Sequence, residues 1–259
     1  MLYETEDNPS MRNEKVEMMC DSCMSDCMNP AIESLSRSFN LVVVGRPGSG
    51  KTNFVVNLLK TGKYDEERRG LRKMFENVVV CSPSISSLKK NIFSKIDEGK
   101  LFEEFDMNFI EFVKELTDIE SEEGNNTLII CDDVGAQLRK DARVEKAFLS
   151  LAFNRRHRRL SIITSVQSYK NLPVPLRTSA SHLVLFRPVN QKELLSVWEE
   201  VLGPIERKQL NQFIDWLFDK KHNFLFVDMS LLLSSKFIFY KNLNKIKSLS
   251  KYYKWRSLD

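Results

Sequence analysis

Short apolar runs, most of them rich in branched residues, recur along the chain and stop abruptly at polar or glycine-containing segments. They fall at residues 39–44, 78–81, 128–131, 160–164, 182–186 and 224–228. Each has the length and composition of a buried β-strand. Between most of them the apolar residues return at helical spacing, at about 86–97, 109–120, 143–156, 190–202 and 206–219. Strands alternating with helices predict an α/β fold, a mostly parallel sheet with helices on both faces.

The first run is followed by "GRPGSGKT", residues Gly45, Arg46, Pro47, Gly48, Ser49, Gly50, Lys51 and Thr52. Phe54, Val55, Leu58 and Leu59 then continue at helical spacing. Strand, glycine-rich loop and helix make the setting of a P-loop. Its glycines let backbone N–H groups close around phosphates, and the helix N-terminus adds partial positive charge. Lys51 is placed to reach the β- and γ-phosphates of ATP. The Thr52 hydroxyl is placed to ligate Mg²⁺.

A P-loop also needs a carboxylate for Mg²⁺ at the end of another strand. "NTLIICDDVG" supplies Asp132 and Asp133 just past an apolar run. Asp132 is placed to hold Mg²⁺ through water, and Asp133 to orient or deprotonate the attacking water. In a RecA-like P-loop NTPase core the next strand slots between the Mg²⁺ strand and the P-loop strand. That strand is 160–164, and Gln167 lies just beyond it, facing the γ-phosphate as a sensor.

Between the last two of these motifs stands "FNRRHRRL", with Arg155, Arg156, His157, Arg158 and Arg159 in succession. Val144, Ala147, Phe148, Leu151 and Ala152 form one apolar stripe before it, and Arg155 and Arg156 continue that stripe. Such a helix runs back from the nucleotide edge, so its end lies far from its own ATP. Across a ring interface these arginines could reach a neighbour's ATP, and Arg177 has a similar position. Arginine suits this task because its planar fork stays charged. The same cations also suit a helix C-terminus.

Composition changes the picture at the two ends. Residues 1–38 hold eight Asp/Glu against three Lys/Arg, and the totals of 35 and 39 leave 27 acids and 36 bases for the rest. A basic body favours a polyanionic partner. Residues 1–38 are expected to be a disordered acidic, Cys- and Met-rich leader, 39–235 the P-loop domain, and 236–259 a basic extension. In the leader Cys20, Cys23 and Cys27 are close together, but no fourth Cys or His is near, as a closed zinc site would need; zinc or a redox role is the alternative to a disordered tail. The extension holds seven Lys/Arg from Lys236 to Arg256 and no acid. It interleaves Tyr240, Tyr252, Tyr253 and Trp255. Residues 237–240 read as a final strand, and Leu243, Ile246, Leu249 and Tyr253 as one side of a helix. No apolar run reaches the roughly 18 residues of a membrane span. The start lacks the basic and apolar regions of a signal peptide, so the chain is expected to work inside a cell.

The ordered set "GRPGSGKT", "LIICDDVG", "FNRRH", Gln167 and Arg177 resembles the poxvirus-type DNA-packaging ATPases of the FtsK/HerA superfamily. The resemblance covers roughly residues 39–200. It implies a homo-oligomeric ring that drives double-stranded DNA, without sequence preference, into a preformed viral capsid. It also implies a capsid or portal partner and action at the virus assembly site in the host cell, with the virion as a further location. Arg156 and His157 occupy the family's Arg–His positions; the duplicated Arg155 blurs which arginine is equivalent. Two other classes compete. A nucleoside or small-molecule kinase would need an acceptor pocket and a lid. A GTPase-type switch would carry a guanine-reading N-K-x-D, which is absent, and a non-catalytic P-loop scaffold without motor activity would not need the intact Mg²⁺ and water-activating groups.

Overall fold

The computed structural model describes residues 30–35, 38–60, 74–85, 93, 96–188, 190–203, 205–230 and 238–246. In chain order the elements are α1 (Pro30–Glu33), β1 (Asn40–Val44), α2 (Lys51–Lys60), β2 (Asn77–Cys81), β3 (Leu101–Phe102) and α3 (Met107–Glu122). Next come β4 (Thr127–Cys131), α4 (Gly135–Lys140), α5 (Ala142–Asn154), β5 (Leu160–Val166), α6 (Val174–Thr178) and β6 (His182–Phe186). The chain continues through α7 (Gln191–Glu200), α8 (Arg207–Leu217), β7 (Phe224–Asp228), β8 (Ile238–Lys241) and β9 (Asn244–Lys245).

These strands form a single sheet in the order β3-β2-β4-β5-β1-β6-β7-β8-β9. Pairing is parallel from β3 to β6 and antiparallel from β6 to β9. β5 lies between β4 and β1, as a RecA-like core requires. The parallel strands are buried on both sides, which explains why they read as continuous apolar runs. Alternate side chains enter opposite layers. Val42, Val44, Ile129 and Ile162 meet α3, α5, α7 and α8, whereas Leu41, Val43, Ile130 and Ile163 meet α1 and α2. Helices therefore cover both faces.

β7 reverses because two helices, not one, follow β6. α7 leads back from the carboxyl edge of the sheet and α8 returns to it, so β7 starts where β6 ends and Phe224 pairs with Phe186.

The structure revises three expectations. The body begins before residue 39, because Ala31, Ile32 and Leu35 are buried against β1 and α2. These apolar residues sit in an acidic leader, and the sheet face they cover is not visible in the sequence. The body also extends past 235, since β8 and β9 complete the sheet. Residues 242–246 form the turn and returning strand of the β8–β9 hairpin rather than the start of a helix: Asn242 and Leu243 have φ of 51° and 67°, the left-handed geometry of a tight hairpin turn. Leu243 and Ile246 are buried by that hairpin. The leader cysteines, most of the helix expected at 86–97, and Leu249, Tyr252, Tyr253 and Trp255 lie outside the described residues. Among the described residues no helix is long and apolar enough to cross a membrane.

Candidate active site

β1, β4 and β5 end together at one edge of the sheet, and that edge gathers the predicted residues. Gly45 N–H donates to the Val166 carbonyl at 3.1 Å, so the P-loop leaves β1 beside the end of β5. Gly45 itself is required by space. A Cβ there would stand 2.8 Å from Phe186 Cβ and 2.5 Å from Ser49 Oγ. Gly48 and Gly50 are required by conformation, with φ of 72° and 108°. The loop closes over Lys51, which opens α2 and is only 8% exposed. Its ammonium donates to the carbonyls of Gly45 at 2.7 Å and Arg46 at 3.4 Å. Burial lowers the Lys51 pKa, and the charges of Asp133 and Asp132 oppose that shift. Arg46 and Pro47 are exposed on the outer rim of the loop.

The two acids follow β4 directly. Asp132 is 5% exposed, and its N–H donates to the Cys81 carbonyl at 2.8 Å. Thr52 Oγ1 donates to Asp132 Oδ2 at 3.0 Å. Ser165 Oγ donates to the other oxygen of Asp132 and accepts from the Asp133 N–H at 2.9 Å. Asp133 has φ 57°, a left-handed geometry that Asp tolerates better than most residues. This turn points its carboxylate outward, where it accepts from Gln167 Nε2 at 3.0 Å. Thr52, Asp132, Ser165, Asp133 and Gln167 thus form one continuous chain of hydrogen bonds.

Two oxygen donors, a hydroxyl and a carboxylate, meet at the head of α2 beside the phosphate loop. That donor set suits Mg²⁺, which prefers hard oxygens and retains several waters. Ser49 Oγ is buried in the loop, and among the described residues it has no hydrogen-bond partner. The residues present therefore fit a magnesium–nucleotide complex.

The arginines separate into different tasks. Arg155, Arg156, Arg158 and Arg159 lie at the amino edge of the sheet, away from the P-loop, and Arg177 lies on α6 before β6. Leu160, the first residue of β5, pairs with Thr127, and the seven residues of β5 span roughly 20 Å to the nucleotide edge. Arg155 Nε donates to the Ser38 carbonyl at 3.0 Å and Nη1 to the Ala152 carbonyl at 2.9 Å. It ties the end of α5 to the entry of β1. Arg158 pairs with Asp118, and Arg159 donates to the Gly124 carbonyl at 2.6 Å. The Arg177 side chain is 10% exposed, pairs with Glu200 at 2.8 Å and lies over the Tyr169 ring at 4.9 Å. Arg156 and His157 are exposed, and among the described residues nothing hydrogen-bonds the Arg156 guanidinium.

Sequence reasoning missed three participants. Ser165 shares β5 with two other hydroxyl residues, Ser161 and Thr164, and only its place at the strand's carboxyl end, two positions before Gln167, sets it apart. Tyr169 anchors the Gln167 loop: its N–H donates to Glu193 Oε1 at 2.8 Å and its hydroxyl to Glu200 Oε2 at 3.0 Å. His222 reaches the P-loop from the far end of the sequence, and nothing local announces it.

A model of the family described as Poxvirus A32 protein matches residues 31–241. The chain belongs to that family. The resemblance carried by its motifs is therefore borne out. None of the curated proteins compared with this A32-family chain matches it. Among solved structures it is similar to B204, the DNA-packaging ATPase from Sulfolobus turreted icosahedral virus, with 16% identity and a TM-score of 0.56 over 83% of this chain and 98% of B204. It is also similar to the genome packaging NTPase B204 of Sulfolobus turreted icosahedral virus 2 in complex with AMP, with 16% identity and a TM-score of 0.55 over 80% and 98% of the two chains. At such identity the likeness is one of fold. With the family and the P-loop site taken together, this A32-family chain is an ATPase.

Proposed function

We propose that the chain is the ATP-hydrolysing subunit of a DNA-packaging motor. The observation that carries this reading is the unbroken chain from Thr52 through Asp132, Ser165 and Asp133 to Gln167. It joins groups for metal, water and phosphate at one edge of a packaging-ATPase fold, in a chain of the A32 family. Nothing in it calls for a phosphate acceptor other than water.

The P-loop N–H groups and Lys51 bind the ATP phosphates. Thr52 and Asp132 hold Mg²⁺, which offsets charge on the phosphate oxygens. Asp133 accepts a proton from the attacking water. Gln167 fixes the Asp133 carboxylate and lies where it can sense the γ-phosphate. The subunits assemble into a homo-oligomeric ring around double-stranded DNA, gripped through its phosphates and so without sequence preference. The ring works on a capsid or portal protein at the virus assembly site of the infected cell. Arg156 is the arginine supplied to a neighbour's ATP. This assignment is supported by its exposure and by the internal partners that engage Arg155 and Arg177.

The test is ATP turnover by the purified chain with and without duplex DNA. Stimulation by unrelated duplex sequences alike supports the motor. Phosphate transfer to an added nucleoside, with no response to DNA, would replace it with a kinase.

A further inference from the structure

The turn between α8 and β7 lies against the P-loop, because β7 begins at the edge where β6 ends. His222 in that turn has φ 70°, and its Nδ1 stands 2.9 Å from the Ser49 carbonyl oxygen. The neighbours of His222 are braced from the β8–β9 hairpin. Lys241 Nζ donates to Asp219 Oδ1 at 2.9 Å and to the Trp216 carbonyl at 2.6 Å. Asn223 Nδ2 donates to Asp219 Oδ1 at 2.7 Å, and Asn242 Nδ2 to Asn223 Oδ1 at 2.9 Å.

The bond to Ser49 constrains a peptide that would otherwise rotate easily. It is flanked by Gly48 and Gly50, whose φ values of 72° and 108° show how much freedom the loop uses. The described residues contain no cis peptide bond, so the Ser49 C=O and the Gly50 N–H point in opposite directions. With the carbonyl turned out to His222, the Gly50 N–H faces the inner side of the loop. Among the described residues it has no acceptor, which is the state of a donor kept for an anion.

We infer that His222 is a positioning residue for nucleotide binding. It holds the 49–50 peptide plane through Nδ1–H, so that Gly50 N–H is presented to a phosphate oxygen. The antiparallel end of the sheet thereby becomes part of the ATP site. This inference rests on the ATPase reading of the same loop.

Two substitutions separate the imidazole bond from the backbone turn. His222→Gly accepts the left-handed geometry freely but removes the donor. His222→Asn also tolerates that geometry and carries an amide N–H on Cγ, as Nδ1 is. Affinity for a fluorescent ATP analogue should fall roughly fivefold or more in His222→Gly, the scale of one lost hydrogen bond. KM should rise in parallel while kcat stays within about twofold, as for a lost uniform binding interaction. His222→Asn should recover most of the loss. Wild-type affinity in His222→Gly, or equal loss in both variants, would overturn the inference. So would a fall in kcat with KM unchanged. Failure of the wild-type chain to bind the analogue at all would instead count against the nucleotide site itself.

Discussion

Gln167 and Asp133 are joined by a 3.0 Å hydrogen bond between a side-chain amide and a carboxylate. The two residues leave adjacent strands, β5 and β4, and meet above the edge where the P-loop begins. The residue assigned to the attacking water is therefore held by the residue assigned to the γ-phosphate. Asp133→Asn should bind ATP normally and hydrolyse it at least about 10²-fold more slowly. Gln167→Ala frees the carboxylate and should lower kcat by a smaller factor with KM little changed. Steady-state turnover checks both, and near-normal kcat in Asp133→Asn removes it from the chemistry.

Lys51→Ala should abolish measurable ATP binding and turnover. The ammonium is buried and held by loop carbonyls, so no other cation can take its place. Titration with a fluorescent nucleotide measures this directly.

Arg156→Ala should leave ATP binding intact and lower the rate by roughly 10³-fold, the scale of a lost arginine finger. Mixing Arg156→Ala with Lys51→Ala subunits should restore part of the activity, because some interfaces then pair an intact finger with an intact loop. No recovery in demonstrably mixed assemblies would leave Arg156 as a helix-end cation.

Arg177→Ala should act mainly on stability. The substitution removes a largely buried guanidinium from Glu200 and Tyr169. Glu200 keeps partial access to solvent, so the cost should be about 1–3 kcal/mol in urea unfolding. Wild-type stability with a 10³-fold slower rate would return Arg177 to the trans role.

Acid should weaken the fold through His182. This residue is fully buried, with Nε2 at 3.1 Å from Ser34 Oγ and 3.4 Å from Asp228 Oδ1, and Nδ1 at 2.8 Å from Ser181 Oγ. Burial lowers its pKa to about 4, against the opposing charge of Asp228. The folded protein thus resists protonation that the unfolded chain accepts near its usual pKa of about 6.5. Stability from this site is complete above that value and declines as pH falls toward about 4. The melting temperature should drop over that interval, and His182→Asn should flatten the drop.

Much of the molecule was legible in the chain because its signals are local. Buried strands are continuous apolar runs, and "GRPGSGKT" states its own turn, helix start and phosphate chemistry. "DDVG" after such a run places two acids at a strand end, and Gln167 follows from strand order. The ends of the body were not legible, since Ala31, Ile32 and Leu35 are apolar residues in a polar leader until the sheet face they cover is known. The hairpin at 242–246 reads equally as helix spacing, and only pairing with β7 and β8 decides it. The arginines could not be separated in sequence, because a guanidinium's task depends on what lies within hydrogen-bonding reach. Ser38 is 117 positions from the Arg155 it engages, and Glu200 stands on α7, not on the helix of the Arg177 it pairs with. The same holds for His222. Its contact with Ser49 joins residues 173 apart in sequence, and it exists only because two helices after β6 turn β7 back to the nucleotide edge.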